Sequence, residues 1–412
     1  MINFEKFELD NGLTVIIHED NSTPLAAVNI LYNVGAKDEH PDKTGFAHLF
    51  EHLMFGGSVN VPKYDEPLER VGGENNAFTT NDITNYYVTL PANNLETAFW
   101  LESDRMMSLA FSKKSLDVQR HVVIEEFNER YLNQPYGDVW LLLKPLAYKV
   151  HPYLWATIGK EISHIENATL EDVKDFFKRF YCPQNAILVV AGNVKTEDIK
   201  KLSEKWFAPI SSGNKNKRKL PAEPLQTELR TLTVERDVPF DAIYKAYHCS
   251  ARLDKEFFAE DLLTDVLSDG KSSRLYKELV KNKKLFSEMD AYITGDWDKG
   301  LIVFEGKLIK GVKMEDAEAA IDTEIDKIKT ELVSKDELSK VKNKIEASLQ
   351  FSEMNVMNKA MNLAFSELMG DASLINKEIE EYNAVTTQKI KDQANLVFQE
   401  ANCSTLYYLS KN

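Results

Sequence analysis

Cysteine is scarce in this chain: Cys182, Cys249 and Cys403 are the three in 412 residues, odd in number and far apart. They cannot build a disulfide framework or a zinc ribbon and read as reduced structural thiols. Long apolar runs are also missing. Ala186–Ala191, among the longest, is strand length and far below the roughly 20 residues of a membrane span. Positive charge is in deficit, with 50 Lys and Arg against 65 Asp and Glu. The resulting net charge of −15 repels phosphate backbones and excludes a nucleic-acid partner. Residues Met1–Glu8 show neither the basic n-region and apolar h-region of a secretory signal nor the Arg-rich, acid-poor character of a transit peptide. The expectation is a soluble chain that stays in the cytoplasm, or in the periplasm if a leader has been removed.

What is present is ordinary globular composition, 43% hydrophobic and 28% charged, which rules out wholesale disorder and fibrous repeats. The length predicts two or three domains at about 100–200 residues each. Gly12–His18 and Ala26–Val34 read as strands, and Phe46, Leu49, Phe50, Leu53 and Met54 then recur at helical spacing up to a Gly56-Gly57 stop. Strand patterns return at Ala77–Thr80 and Tyr86–Leu90. Helical patterns follow at Leu95–Leu109, Ser115–Leu132 and Thr169–Phe180, before a buried strand at Ala186–Val190. Ser211–Pro224 is polar, basic and punctuated by proline, so residues 211–228 read as a linker. It separates an N-terminal domain, 1–210, from a C-terminal domain, 229–412. The second half opens with strands at Leu232–Val234 and Ala242–Tyr247 and a helix Phe257–Leu267 ending at Asp269-Gly270. Aligned on the glycines, Leu49-Phe50 fall against Leu262-Leu263, and His48, Glu51 and His52 against Asp261, Thr264 and Asp265. The fold class is α+β, two similar halves, each a mainly antiparallel sheet packed with helices.

His48-Leu49-Phe50-Glu51-His52 carries the chemistry. At about 100° per residue the two histidines and the glutamate share one helix face. Imidazoles at i and i+4 can hold one tetrahedral Zn²⁺, and the glutamate lies beside the ion, where a general base takes a proton from activated water. The bland alternative is two buried helix histidines with a solvated glutamate. A catalytic zinc needs a third protein ligand. The other six histidines (His18, His40, His121, His151, His164 and His248) show no ligand spacing and read as surface or capping residues. Carboxylates of the helix around Val122 are better candidates: Glu126 and Glu129 follow it at i+4 and i+7, with Glu125 beside them.

His48-x-x-Glu51-His52 is the inverted zinc motif, and the chain resembles the insulinase/pitrilysin family of zinc peptidases, most of all its short bacterial members akin to the mitochondrial processing peptidase β subunit. Thr44–His48, Gly72–Thr80, His151-Pro152-Tyr153 through Gly159, and Tyr181–Ala186 also match. The resemblance implies a clamshell half with one zinc per chain, ligated by His48, His52 and Glu126, with Glu51 as general base. Glu129 stays as the second candidate for the third ligand. Gln119 stands where the family has a glutamate at the start of the ligand helix run. The resemblance also implies that Asn76, Ala77, Phe78 and Thr79 accept an extended peptide as an added strand. The implied activity is zinc-dependent endopeptidase cleavage of unfolded peptides, with a non-catalytic assembly subunit as the alternative. Active members carry an Arg and a Tyr in the second half, and here Val280 and Ser287 take those positions. The implied partner is a homologous subunit that carries the Arg/Tyr pair in a dimer.

Overall fold

The computed structural model describes residues 1–411. The chain divides into two compact units, each containing one sheet. In the first unit six strands, β1 (Glu5–Glu8), β2 (Thr14–Glu19), β3 (Leu25–Tyr32), β4 (Glu74–Thr79), β5 (Thr84–Pro91) and β6 (Ala186–Gly192), are ordered β1-β2-β6-β3-β5-β4. Only β2 and β6 run parallel. In the second unit β7 (Arg230–Arg236), β8 (Ala242–His248), β9 (Phe286–Ile293), β10 (Leu301–Leu308) and β11 (Cys403–Ser410) are ordered β7-β11-β8-β10-β9, with β7 and β11 the parallel pair. Strand for strand, β2-β6-β3-β5-β4 repeats as β7-β11-β8-β10-β9. Two mainly antiparallel α+β halves are what the sequence predicts.

The division between the units differs from the expected one. The first comprises 1–129, 155–220 and 349–377, and the second 130–154, 221–348 and 378–412. Each half thus lends a helix to the other unit, and burial of apolar faces is the reason. Val139, Leu143 and Ala147 of helix Val139–Ala147 pack with Tyr244, Ala246, Leu406 and Tyr408 on the second sheet. Helix Val356–Leu368 buries Ala360, Leu363 and Ala364 and packs on β3 and β6 of the first. Residues 211–228 are not a loose connector either. Arg218 is ion-paired to Asp38 at 2.7 Å and donates to the Asp82 carbonyl, and Asn216 donates to the Asn33 carbonyl and Asp38. That strap binds the stretch to 220 onto the first unit. The three cysteines are buried free thiols, and no helix of the described residues is long and apolar enough to cross a membrane.

Candidate metal centre

The helix predicted around the motif spans Phe46–Met54. Its apolar side, Phe46, Leu49, Phe50, Leu53 and Met54, is buried, with Phe50 stacked among Phe176, Phe177 and Tyr181. Burying that side fixes which way the opposite face, with His48, Glu51 and His52, must point. The helix is capped at Phe55, and beyond it Gly57 turns the chain at φ 94°; a Cβ there would meet the Pro62 carbonyl oxygen at 2.4 Å. The second contributor is helix Lys113–Phe127, started by Ser112, whose hydroxyl accepts the Ser115 N–H, and held by buried Leu116, Val123 and Phe127.

These two helices bring three ligand atoms together. His48 Nε2 and His52 Nε2 are 3.4 Å apart, Glu126 Oε2 is 3.3 Å from His52 Nε2 and 3.7 Å from His48 Nε2, and the imidazole planes are crossed at 89°. Tetrahedral ligand atoms around an ion at about 2.0–2.1 Å stand roughly 3.3–3.4 Å apart. The donor set, two imidazoles and a carboxylate, and the size of the triangle therefore both fit zinc. Among the described residues this is the one group of three or more His, Cys, Asp and Glu side chains so placed. Glu125 and Glu129 are exposed and stand outside it.

Glu51 shares the face of the histidines, and its Oε2 accepts a hydrogen bond of 2.6 Å from Thr79 Oγ1. Behind it, Tyr86 and Tyr181 join their hydroxyls at 3.1 Å. Burial pushes both phenols well above the usual range, and the nearby Glu51 charge adds to the effect.

Thr79 lies on β4, the edge of the first sheet. Thr80 N–H donates to the Ile83 carbonyl, so ladder bonding alternates back along β4, with Phe78 and Asn76 facing β5 while the Ala77 and Thr79 amides face the free edge. The Ala77 amide donates meanwhile to Asn76 Oδ1 at 2.8 Å. Phe78 sits between Tyr87 and Phe365.

Two contacts around the centre escape sequence reasoning. Thr79 was expected to act through its backbone, yet its side chain reaches Glu51. Glu39 was not singled out: its carboxylate accepts the Gly45 and Ala47 amides at the start of the motif helix. The signal available was a helix opening on glycine with no Ser, Thr or Asp cap. Of the other histidines, read as surface or capping residues, His151 is buried, and its Nδ1 accepts the Tyr153 amide at the start of the Pro152–Leu154 turn.

The second unit repeats the helix without the ligands. Helix Phe257–Ser268 packs on β9 and places Asp261, Thr264 and Asp265 where the first has His48, Glu51 and His52. Burial raises both carboxyls, Asp265 to about 7 with neighbouring Asp261 and Asp269 adding to it, and Tyr382 donates its hydroxyl to Asp261. Val280 is half-buried, and Ser287, exposed on β9, donates to the Lys307 carbonyl.

A repeated α+β fold with a two-histidine, one-glutamate centre in its first half alone defines a class of zinc metallopeptidases. Residues 14–140 match the family model described as insulinase (peptidase family M16), and residues 167–345 the one described as peptidase M16 inactive domain. Zinc protease PqqE of Helicobacter pylori is 34% identical over 346 residues, covering 82% of this chain and 77% of that protein. A crystal structure of a protease from Helicobacter pylori superposes with a TM-score of 0.93 at 29% identity, covering 99% of this chain and all of that one (100%). A probable mitochondrial-processing peptidase subunit beta of Arabidopsis thaliana is 24% identical over 355 residues, 83% of this chain and 66% of that protein. The chain belongs to the insulinase/pitrilysin family, peptidase family M16.

Proposed function

We propose that the protein is a zinc-dependent endopeptidase that hydrolyses unfolded peptides or oligopeptides. The observation that carries this reading is the triangle of His48 Nε2, His52 Nε2 and Glu126 Oε2 with Glu51 on the same helix face. His48, His52 and Glu126 hold one zinc ion. When bound, the ion supplies Lewis acidity, polarising the scissile carbonyl and acidifying water. Glu51 takes the proton from the attacking water and delivers it to the leaving amine nitrogen. Thr79 keeps one oxygen of that carboxylate in place. An extended peptide adds to the free edge of β4 along Asn76–Thr79, displacing the Asn76 side chain from the Ala77 amide, so affinity comes from backbone hydrogen bonds with little demand on sequence.

One element of the site is supplied elsewhere. Val280 and Ser287 offer no cationic or phenolic donor to a developing oxyanion, and the second half resembles the inactive domain of the family. We read the active form as a dimer with a homologous subunit that contributes the Arg/Tyr pair.

The test is Glu51→Gln. The variant should keep about one zinc per chain and lose about 10²–10⁴-fold in turnover of an unstructured peptide. Unchanged turnover removes the proposed base, and a wild-type chain that takes up no zinc removes the enzymatic reading in favour of an assembly subunit.

A further inference from the structure

The helix that presents His48, Glu51 and His52 has no cap of its own. Its N-cap is Gly45 at φ 85°, where a Cβ would stand 2.5 Å from the Ile158 carbonyl oxygen and 2.9 Å from Ile165 Cδ1. No Ser, Thr or Asp can occupy that position, so the first amides of the helix need an acceptor from elsewhere. Glu39 supplies it: Oε2 accepts the Gly45 amide and Oε1 the Ala47 amide, each at 2.8 Å. The residue is 7% exposed. Burial drives its carboxyl up, to about 8, while the Ala47 and Gly45 amides pull it down, and the carboxylate is the form that accepts both. The helix amides offset that burial only in part, and the capping rests on geometry, each carboxyl oxygen meeting one N–H.

The same short segment also holds the other side of the centre. Ala36 and Lys37 donate their amides to the carbonyls of Thr80 and Asn81, in the turn that follows β4, and Trp155 Nε1 donates to the Ala36 carbonyl. Residues 36–39 thus tie the start of the motif helix to the end of the edge strand.

We propose that Glu39 is a positioning residue for the metal centre: by capping a helix that cannot cap itself, it fixes the rotation and rise of the turn that aims His48 at His52 and Glu126. The proposal rests on the reading of those three side chains as a zinc site. A glutamine at position 39 keeps the shape but turns one acceptor into a donor, which faces an amide N–H and leaves the first turn free to rotate. A role confined to stability would lower the unfolding midpoint and leave the metal site of the folded protein unaltered.

The experiment compares the full-length wild-type chain with Glu39→Gln and Glu39→Asp. The readouts are zinc affinity by chelator competition and the visible bands of the Co²⁺-substituted protein, which report ligand geometry. Glu39→Gln should bind zinc about 10–100-fold more weakly and show shifted, weakened cobalt bands, with Glu39→Asp in between. Wild-type affinity and spectrum in the folded Glu39→Gln protein overturn the proposal. If that variant does not fold, Glu39→Asp decides alone: weaker binding with altered bands supports the proposal, and wild-type behaviour overturns it. A wild-type chain that binds neither metal overturns the zinc reading and this proposal together, whereas normal binding by wild type and variant alike overturns the proposal only.

Discussion

Thr79 shows how much a single side chain can carry at this centre. Its hydroxyl is 2.6 Å from Glu51 Oε2, and its amide faces the strand edge where a peptide would lie. Removing the hydroxyl without changing the shape, as in Thr79→Val, leaves zinc binding and the backbone edge intact and frees the base to swing. A hydrogen bond to a charged group contributes about 1.5–3 kcal/mol, so kcat should fall roughly tenfold to hundredfold with KM little changed. Steady-state kinetics on one peptide decide it, and a rise in KM at constant kcat would instead give Thr79 a binding role. The two histidines proposed to hold the ion were legible because two imidazoles four apart are rare and geometrically committed. Glu126 needed the resemblance as well, since periodicity alone left Glu125, Glu126 and Glu129 open. Glu39 was not legible: its partners lie across a loop, and nothing in His40-Pro41 says which way that loop turns.

Among the elements, those whose burial follows from local period were readable within a few residues. The motif helix, β3, β6 and helix Leu170–Phe180 with its Thr169–Asp172 capping box all stand where alternation or helical spacing predicts them. Strand β11 was not: its Cys403–Ser410 run mixes hydroxyl and apolar side chains, where β6 is a continuous apolar run. Packing sets elements through side-chain pairs as well. Glu337, in the first turn of helix Lys335–Ser352, is gripped by Arg274 at 2.8 Å and by the Ser334 amide and hydroxyl. Arg274 thus has a structural role. Its guanidinium, and then the Ser334 donors against partial burial, hold the Glu337 carboxyl down at about 2, from the ordinary value of 4.5. A depressed carboxyl stabilises the fold above its unfolded pKa, and that contribution fades as pH falls from about 4.5 toward 2. Glu337→Gln has no such contribution to lose. The stability gap between wild type and variant should be widest above pH 5 and narrow as pH drops, measured as the difference in denaturation midpoints. A gap independent of pH would show that the ion pair adds nothing beyond its hydrogen bonds.

At the scale of the whole molecule, one topology occurs twice and only one copy holds the ligands. The repeat could be seen by aligning two glycine-ended helices, but the exchange of helices Val139–Ala147 and Val356–Leu368 between the units could not, since an amphipathic helix does not state which sheet will cover it. In the second copy the place of the histidines is taken by Asp261 and Asp265, with Tyr382 bonded to the first, an arrangement closed by its own hydrogen bonds. The proposed function divides the labour: the first half would supply the metal ligands, the base and the peptide edge, and a second half with cationic and phenolic donors would stabilise the oxyanion. In the proposed reading this chain carries the former and, with Val280 and Ser287 at the expected positions, lacks the latter. Each missing oxyanion donor is worth about 10²–10³ in kcat. The purified chain, loaded with one zinc, should therefore cleave an unstructured peptide slowly. Mixing it with a homologous chain that carries the Arg/Tyr pair should raise kcat by at least about 10²-fold, with a 1:1 complex forming in sedimentation. Glu51→Gln in this chain should abolish the gain, because the metal and the base stay on this side of the complex. Full turnover by the isolated chain would mean that its own residues suffice and would remove the need for a partner.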